Sequence, residues 1–277
     1  MTVTKELIDA LSHIKMVVTD IDGTLMEEGQ SDLPKEYFTQ IQRLEKKGIL
    51  FVPATGRSYD SAHKVFLPIL DKIMFISDNG ARVMKAGKTW STNPIPYPLM
   101  LEMLQDVEAM PEFEAFASGP NIGYCTAGNE AFIQLLRVNY QLNVIPLEHI
   151  SETLPEGEYF NISVYHPRDI QVGMENGYYD KWHAHNQVDA IRSGKLWMNM
   201  VKRGVDKGSA LKAIMDKMDL KPEQVLVFGD NTNDMGMLSL VENSVAIGNA
   251  REEVKKCCKY VAKSCKENGV LEFLQLL

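Results

Sequence analysis

The sequence has few cysteines, and none of them has the spacing of a metal-binding motif. Cys125, Cys257, Cys258 and Cys265 are the four cysteines among 277 residues, and no pair is arranged as CxxC. This spacing argues against a structural zinc site. We expect free thiols in a reducing cytoplasm.

The sequence also lacks a long apolar run and an excess of positive charge. No apolar stretch approaches the roughly 18 residues needed to span a membrane. The first fifteen residues include Lys5, Glu6, Asp9 and Lys15, so they do not resemble a secretion signal. Lys and Arg number 29 against 37 Asp and Glu, a net charge of −8. Nucleic acid and anionic membranes attract basic surfaces. We therefore expect a cytoplasmic protein that binds neither.

The order of apolar segments predicts an α/β fold with an insertion. Strand-like runs alternate with helical patterns up to Ser77, and the alternation returns at Lys207. This order is typical of a parallel, Rossmann-like sheet with right-handed crossovers. Residues 83–200 contain helical patterns and strand-like segments, one of them over 181–191, without strict alternation, which favours an inserted α+β domain. We therefore predict a core domain formed by 1–82 and 201–277.

The strongest functional motif is Asp20-Ile21-Asp22-Gly23-Thr24, at the end of the first predicted strand. Two carboxylates two residues apart leave a strand end on roughly the same side. Carboxylate and main-chain carbonyl oxygens are hard ligands suited to Mg²⁺. A carboxylate also acts as a nucleophile in enzymes that form an aspartyl-phosphate. The motif therefore predicts a site for metal-assisted phosphate chemistry.

A second acidic motif, Gly229-Asp230-Asn231-Thr232-Asn233-Asp234, follows a late strand. In open α/β sheets, ligands bind at the carboxyl ends of the strands. The fold prediction places Asp20 and Asp230 at that same edge, although 210 positions separate them. Carboxylates gathered in a small site repel one another, and a divalent cation removes this repulsion. The two motifs together predict one metal site.

Two weaker motifs supply groups that suit a phosphate. Thr55-Gly56-Arg57 follows the second predicted strand and offers a hydroxyl, a main-chain N–H and a guanidinium. Lys207 begins the helix that precedes the late strand, where its charge adds to the positive end of the helix dipole. Alone, either motif is more typical of a turn or of a solvated surface.

Taken in order, Asp20-Ile-Asp-Gly-Thr, Thr55, Lys207 and Gly229-Asp-x-x-Asn-Asp234 resemble the four motifs of the haloacid dehalogenase-like hydrolases. The large insertion resembles the α/β cap of the Cof-type sugar-phosphatase branch, and so does Ser77-Asp-Asn-Gly-Ala81 before it. The resemblance covers essentially the whole chain. It implies a Mg²⁺-dependent phosphatase of small phosphorylated metabolites, with the insertion as a cap that sets specificity.

The resemblance also implies roles for individual residues. Asp20 would be the nucleophile and a metal ligand, and Asp22 the general acid and base. The main-chain carbonyl of Asp22 would also bind the metal. Thr55 would hydrogen-bond the phosphoryl group, and Lys207 would neutralise Asp20. The remaining implied metal ligands are Asp230 and Asp234. The implied phosphate-binding residues are Gly23, Thr24, Gly56, Arg57, Asn79 and Asn233.

Two other functions remain open on the sequence alone. A phosphomutase would use the same aspartyl-phosphate and return the phosphoryl group to a sugar. A non-catalytic module would bind a phosphorylated ligand without turnover. Sugar phosphates are the first expectation for the substrate, with nucleotides or pyridoxal phosphate second. The candidates for specificity residues within the insertion are Trp182, His183, His185, Arg192, Trp197 and Asn199.

Overall fold

The computed structural model describes residues 4–27, 30, 32–193 and 195–277, the side chain of Ser193 excepted. In chain order, the strands of these ranges are β1 (Met16–Thr19), β2 (Leu50–Pro53), β3 (Met74–Ser77), β4 (Arg82–Lys85), β5 (Lys88–Thr92), β6 (Glu114–Ser118), β7 (Gly123–Thr126), β8 (Val144–Leu147), β9 (Asn161–Tyr165), β10 (Val188–Ser193), β11 (Trp197–Lys202), β12 (Val225–Gly229), β13 (Asn243–Ala246) and β14 (Tyr260–Val261).

The helices of the same ranges are short, and several continue into a tighter or wider turn. In chain order, they are α1 (Lys5–Leu11), α2 (Lys35–Lys46), α3 (Tyr59–Ala62), α4 (Tyr97–Glu108), α5 (Glu130–Gln134), α6 (Ile150–Thr153), α7 (Gln171–Glu175), α8 (Tyr178–His183), α9 (Lys207–Met218), α10 (Met235–Leu238), α11 (Glu252–Cys257) and α12 (Gly269–Leu276). A 3₁₀ helix, His63–Lys72, extends α3, and a π-helical turn, Leu135–Asn139, extends α5.

The chain forms two compact units. The first consists of Met1–Thr92 and Asp206–Leu277, and the second of Asn93–Val205. The predicted insertion, 83–200, starts within β4. That strand pairs with β3 in the first unit, as Ile76 opposite Val83 shows. The β3–β5 hairpin region therefore stays with the first unit.

The first unit contains the predicted parallel sheet. Its strand order is β14-β13-β12-β1-β2, and Met16 of β1 pairs with Val225 on one side and Leu50 on the other. A further parallel bridge, between Ala54 and Ile76, follows β2 and leads to β3. β3, β4 and β5 pair antiparallel. The α/β fold expected from the sequence is confirmed.

Both faces of this parallel sheet are buried, which explains its unbroken apolar strands. Val17 points to a core that includes α2 and α12, whereas Met16 and Val18 point to a core that includes α9, α10 and α11. All three side chains have no exposed surface. Successive side chains of a strand alternate between faces, so one short run supplies two cores.

A capping box defines the start of α9. Ser209 N donates to Asp206 Oδ1 at 2.6 Å, and Asp206 N donates to Ser209 Oγ at 2.9 Å. Such a cap is worth about 1 kcal/mol. The helix then buries Leu211 and Ile214 against the sheet. These contacts hold the first helical residue, Lys207, in a defined position.

The second unit is built around a six-stranded sheet of order β10-β11-β9-β6-β7-β8. All pairs are antiparallel except β7 with β8. One face carries Ile162 and Val164 into a core with α4, α6 and α8. On the other face, Phe116 and Cys125 pack against Phe132 of α5. This is the α+β architecture expected for the inserted segment.

The expectation of a continuous strand over 181–191 was wrong. α8 ends at His183, and β10 begins only at Val188. Tyr178 and Trp182, at i and i+4 of this helix, both point into the core of the second unit, and Trp182 is 1% exposed. Residues four apart lie on the same face of a helix, so α8 buries both aromatic rings. This burial outweighs the alternating pattern that predicted a strand. Trp182 is therefore a core residue, and His183 and His185 do not share a strand face.

Two further expectations concern the cysteines and membrane spans. All four cysteines are free thiols, with Cys125 and Cys265 buried and Cys257 exposed. Among the residues placed by the structure, no helix combines the length and apolarity that crossing a membrane requires.

Candidate active site

The candidate active site lies where the parallel strands of the first unit end. Asp20 directly follows β1, Asp230 directly follows β12, and Thr55 comes two residues after β2. β1 is hydrogen-bonded to both β12 and β2 in parallel register. The carboxyl ends of these strands therefore meet at one edge of the sheet.

Lys207 forms a buried bridge between two of the aspartates. Its Nζ lies 2.5 Å from Asp20 Oδ1 and 2.7 Å from Asp234 Oδ1. Lys207 is 1% exposed and Asp234 fully buried. Burial acts against the charged ammonium, but the two carboxylates outweigh it and raise the pKa of Lys207. Lys207 is therefore a charged group held between two carboxylates.

Asp20, Asp230 and Asp234 form a cluster suited to a cation. One ligand oxygen from each lies within 4.8 Å of the others. Burial raises the pKa of Asp20, Lys207 opposes this effect, and Asp234 and Asp230 add to it. With all three carboxylates ionised, the cluster and the ammonium of Lys207 would together carry two negative charges in a largely buried site. A divalent cation with oxygen preference would balance that charge.

The acidic loop after β12 is folded around its own last aspartate. Asp234 Oδ2 accepts hydrogen bonds from the main-chain N–H groups of Asp230, at 3.0 Å, and Asn231, at 3.1 Å. Thr24 Oγ1 donates to Asp230 Oδ1 at 2.6 Å. The threonine of the first motif thus orients a carboxylate of the second, which fixes the relative position of the two loops.

The backbone of Gly23 lies against the same carboxylate. Its φ is +84°, and a Cβ at this position would be 2.5 Å from Asp230 Oδ2. An L side chain would be strained there and would displace the carboxylate. Glycine therefore allows the first loop to approach Asp230 closely.

Asp22 is paired with Arg57. Arg57 Nε donates to Asp22 Oδ2 at 2.7 Å, and Nη2 donates to Oδ1. Both side chains are about a quarter exposed. The sequence assigned Arg57 to phosphate, whereas the structure places its guanidinium on both oxygens of Asp22. The carboxylate of Asp22 is turned to this partner, and the ligand atom expected from Asp22 is its main-chain carbonyl.

Thr55, Gly56 and Asn79 lie together beside this pair. Thr55 is buried, and its Oγ1 accepts a hydrogen bond from Arg57 N at 3.1 Å. Asn79 N donates to Thr55 O at 3.1 Å. A Cβ on Gly56 would be 3.0 Å from Asn79 Oδ1. The structure therefore brings these three predicted residues together, whereas Asn233 is exposed in the turn after β12.

Sequence reasoning missed Gly80 as a residue that supports the site. Asp78, Asn79 and Gly80 all have positive φ, and a Cβ on Gly80 would be 2.1 Å from Asp206 O. Asp206 is the N-cap of α9. The turn after β3 thus lies directly against the residue that precedes Lys207. In the sequence, the Asn79-Gly80 pair indicates a turn, but it does not reveal that this turn contacts Asp206.

Asn249 was also missed. Its Nδ2 donates to Gly23 O at 2.7 Å, and its Oδ1 accepts from Cys265 N at 2.9 Å. One exposed amide thus links the first motif to the segment before α12. Asn249 lies three residues beyond the end of β13, so the rule that ligands bind at strand ends was a signal that could have found it.

A comparison with models of protein families identifies the family of the chain. A family model described as haloacid dehalogenase-like hydrolase matches residues 17–274. The chain belongs to this family of hydrolases, as the resemblance of its motifs implied.

The relatives are named as phosphatases. A 5-amino-6-(5-phospho-D-ribitylamino)uracil phosphatase of Escherichia coli is 23% identical over 94% of this chain and 95% of its own length. A Bacillus subtilis protein with the same activity in its name is 25% identical over 94% of this chain and 96% of its own length. We therefore class the chain as a phosphatase.

Solved structures share the fold. A protein from Eubacterium rectale matches with a TM-score of 0.88 and 32% identity, covering 95% of this chain and 98% of that one. A sugar phosphatase of haloacid dehalogenase subclass IIB matches with a TM-score of 0.76 and 21% identity, covering 94% of this chain and 98% of that one. Both likenesses extend over the two units described above.

Proposed function

We propose that the chain is a Mg²⁺-dependent phosphatase of small phosphorylated metabolites that works through an aspartyl-phosphate. In this proposal, the first unit is the catalytic core, and the second unit, which the sequence bounded at 83–200, is a cap that sets specificity. The observation that carries the proposal is the buried Lys207, which lies between Asp20 and Asp234 beside a third carboxylate. Such a site can balance the negative charges of the carboxylates and of a bound phosphoryl group.

The residues present fit a magnesium ion. Asp20, Asp230 and Asp234 supply hard oxygen donors, and the main-chain carbonyl of Asp22 would add another. When bound, Mg²⁺ would offset the two uncompensated negative charges and polarise the phosphoryl group. Thr24 holds Asp230 in place for this role through its 2.6 Å hydrogen bond.

Asp20 is proposed as the nucleophile. One of its carboxylate oxygens attacks phosphorus in line, a P–O bond to Asp20 forms, and the bond to the leaving oxygen breaks. Lys207 Nζ lies 2.5 Å from Asp20 Oδ1. The positive charge of Lys207 stabilises the negative charge that develops on the phosphoryl oxygens. Water then attacks the aspartyl-phosphate and releases inorganic phosphate.

Asp22 is proposed as the general acid and base. It gives its proton to the leaving oxygen in the first step and takes a proton from the attacking water in the second. Its pairing with Arg57 keeps the carboxylate near the nucleophile loop and also occupies both of its oxygens. Each oxygen keeps a second lone pair that can hold the transferred proton.

The remaining predicted residues are proposed to bind the phosphoryl group. The Thr55 hydroxyl and the main-chain N–H groups of Gly23, Thr24 and Gly56 are donors suited to its oxygens. Arg57 would contribute once it leaves Asp22. Asn79 lies beside Gly56 and would act with it, and Asn233 would act from the exposed turn after β12.

A phosphorylated sugar or polyol is the substrate class that we propose. Two relatives carry names with a phosphorylated ribityl chain, and one structural neighbour is named a sugar phosphatase. In both cases the phosphate is attached to a carbon chain that bears hydroxyl groups. This chemistry supports sugar and polyol phosphates as the substrate class.

The test is phosphate release from a panel of phosphorylated metabolites, with Mg²⁺ and with a chelator. We expect metal-dependent release by the wild-type chain and none by Asp20→Asn. Asp216→Asn, an exposed aspartate of α9 paired with Lys212, is the matched control and should retain full activity. Release by Asp20→Asn at the wild-type rate would contradict the mechanism. A requirement for a bisphosphorylated activator, with little free phosphate, would favour a phosphomutase instead.

A further inference from the structure

Two charged side chains that the proposed mechanism does not use are buried in the first unit. Asp78 directly follows β3, and Arg82 begins β4. Each of these residues is 3% exposed. Burying a charge is costly unless the charge is paired, so both residues need an explanation. Their partners lie in α3, the helix that follows Thr55-Gly56-Arg57, which we call the Thr55 loop.

Asp78 caps the start of α3. Ser58 holds the N-cap position of this helix, yet its side chain makes no capping hydrogen bond. The Ser58 Oγ is buried and has no hydrogen-bond partner among the described residues. Asp78 Oδ2 instead accepts a hydrogen bond from Tyr59 N at 3.3 Å, and Ser77 Oγ donates to the same oxygen at 3.0 Å. A carboxylate from the end of β3 thus does the work of the helix's own cap.

Arg82 holds the same helical turn from β4. Its Nη1 donates to Asp60 Oδ2 at 3.1 Å. The guanidinium carbon also lies 5.3 Å from the centre of the Tyr59 ring, which is within the range of a cation–π interaction. The side chain of Arg82 is 4% exposed and that of Asp60 22%. Because the guanidinium is shielded from water, this ion pair is stronger than one on the surface.

The turn that contains Asp78 has an unfavourable backbone conformation. Asp78 has a φ of +51° and Asn79 a φ of +52°, both in the left-handed region. Residues other than glycine rarely adopt this region, and they keep it where the surrounding contacts hold them there. In this conformation, Asp78 N donates to Arg57 O at 2.9 Å, and Asn79 N donates to Thr55 O at 3.1 Å. Two consecutive N–H groups of the turn therefore bind the main chain of the Thr55 loop.

The Thr55 loop is thus supported by a set of contacts distinct from those of the aspartate cluster. The turn after β3 holds the main chain of the loop, and Asp78 and Arg82 hold the helix that continues it. Asp20, in contrast, follows from the pairing of β1 with β12, and Asp230 is held by its own loop and by the first motif. Disturbing Asp78 or Arg82 should therefore affect the Thr55 loop first.

We propose that Asp78 and Arg82 are positioning residues that hold the Thr55 loop in the arrangement that binds a phosphoryl group. The inference rests on the proposed function, because it explains how a loop proposed to bind phosphate is kept in place. Neither residue touches the substrate in this role. Their loss should weaken phosphate binding and leave metal binding intact.

Three variants separate the contributions of the two side chains. Asp78→Gly removes the capping carboxylate without straining a turn of positive φ, because glycine adopts this region freely. Asp78→Asn tolerates the same φ and keeps an oxygen that can accept from Tyr59 N, so it is the conservative variant. Arg82→Met keeps an apolar stem and removes the guanidinium. Arg168→Met is the control, because Arg168 is an exposed arginine that is also paired with a carboxylate.

The test is competitive inhibition of p-nitrophenyl phosphate hydrolysis by inorganic phosphate. We expect the inhibition constant of phosphate and KM to rise about tenfold in Asp78→Gly and in Arg82→Met, the effect of weakening one hydrogen bond to a charged group. Asp78→Asn and Arg168→Met should stay close to the wild type. The affinity for Mg²⁺, measured by thermal shift without substrate, should not change. Unchanged phosphate inhibition in Asp78→Gly and Arg82→Met, or an equal loss of Mg²⁺ affinity, would overturn the inference.

The division between kcat and KM separates positioning from stability. A purely structural role would lower the folded fraction, which reduces the apparent kcat but leaves KM and the inhibition constant of phosphate unchanged. Urea denaturation of the same samples gives the folded fraction. A fall in kcat that matches the loss of folded protein, with KM unchanged, would show that Asp78 and Arg82 only stabilise the fold.

Hydrogen exchange distinguishes failure of this inference from failure of the proposed function. If the wild-type chain hydrolyses no phosphomonoester, the proposed function fails, and amide exchange then tests the positioning by itself. The N–H groups of Asp78 and Asn79 donate to the Thr55 loop, whereas Asp20 N donates to a carbonyl of β12. In Arg82→Met, we expect exchange about tenfold faster at Asp78 and Asn79 and unchanged at Asp20. Unchanged exchange at the turn, or equally faster exchange at Asp20, would reject the inference.

Discussion

Replacement of Lys207 by methionine tests the electrostatic balance of the site. Methionine retains an apolar stem of similar length but removes the charge that lies 2.5 Å from Asp20 and 2.7 Å from Asp234. Removing one partner of a buried ion pair costs about 3–5 kcal/mol, because the other charge is left uncompensated. Here two carboxylates lose their partner. We expect the free energy of unfolding to fall by about 3–5 kcal/mol and the melting temperature by about 10 °C.

The loss of stability in Lys207→Met should increase with pH. Lys207 opposes the effect of burial on Asp20, so its loss raises the pKa of the Asp20 carboxyl in the folded state still further above the unfolded value near 4. The folded state then binds more protons than the unfolded state, and stability falls as pH rises toward the folded pKa. The deficit of the variant should therefore be greater at pH 8 than at pH 5.

The assay is urea denaturation of both proteins in the presence of a chelator, at pH 5 and at pH 8. Lys212→Met is the matched control, because Lys212 is an exposed lysine of the same helix, paired with Asp216. An exposed pair of this kind contributes about 0–1 kcal/mol. If Lys207→Met loses no more stability than Lys212→Met at pH 8, the charge of Lys207 does not balance the buried carboxylates, and the reasoning is refuted.

Three further predictions follow from the same geometry. Mg²⁺ near 100 times its Kd should stabilise the wild-type chain by about 2.7 kcal/mol, measured by thermal shift. The effect should weaken at low pH, where metal competes with protons, and a full effect in Asp230→Asn would contradict the cation site. Asn249→Asp loses its donor to Gly23 O, so kcat should fall about tenfold with little change in unfolding, and an unchanged kcat would remove Asn249 from the supporting set. Burial raises the pKa of the Cys125 thiol to about 11, so iodoacetamide at pH 8 should label exposed Cys257 first, and equal labelling by mass spectrometry would contradict this.

The first unit was largely predictable from sequence because its strands obey a simple physical rule. Apolar runs such as Met16–Thr19 are buried on both faces, so they are recognisable without any partner. The end of each strand then locates its motif at the carboxyl edge of the sheet. Asp20 and Asp230 could be placed together in this way, because parallel register alone brings them to one edge.

Side-chain pairing was not predictable by the same rule. Arg57 is close enough to Asp22 to make two hydrogen bonds, and this choice depends on rotamers that spacing does not reveal. The second unit was harder to predict, because its apolar residues suit short helices as well as short strands. Trp182 illustrates this competition, since its burial depends on a helix of only six residues.

Gly80 affects how related sequences should be classified as active or inactive phosphatases. One added carbon at this position would lie 2.1 Å from the carbonyl oxygen of Asp206 and would push on the start of α9. Every charged group of the site could then remain in the sequence while the ammonium of Lys207 moved away from Asp20. A search that checks only for the aspartates and the lysine of the site would classify such a chain as active. We expect Gly80→Ala to bind metal and lose turnover, so a single methyl group would separate a phosphatase from an inactive chain with the same motifs.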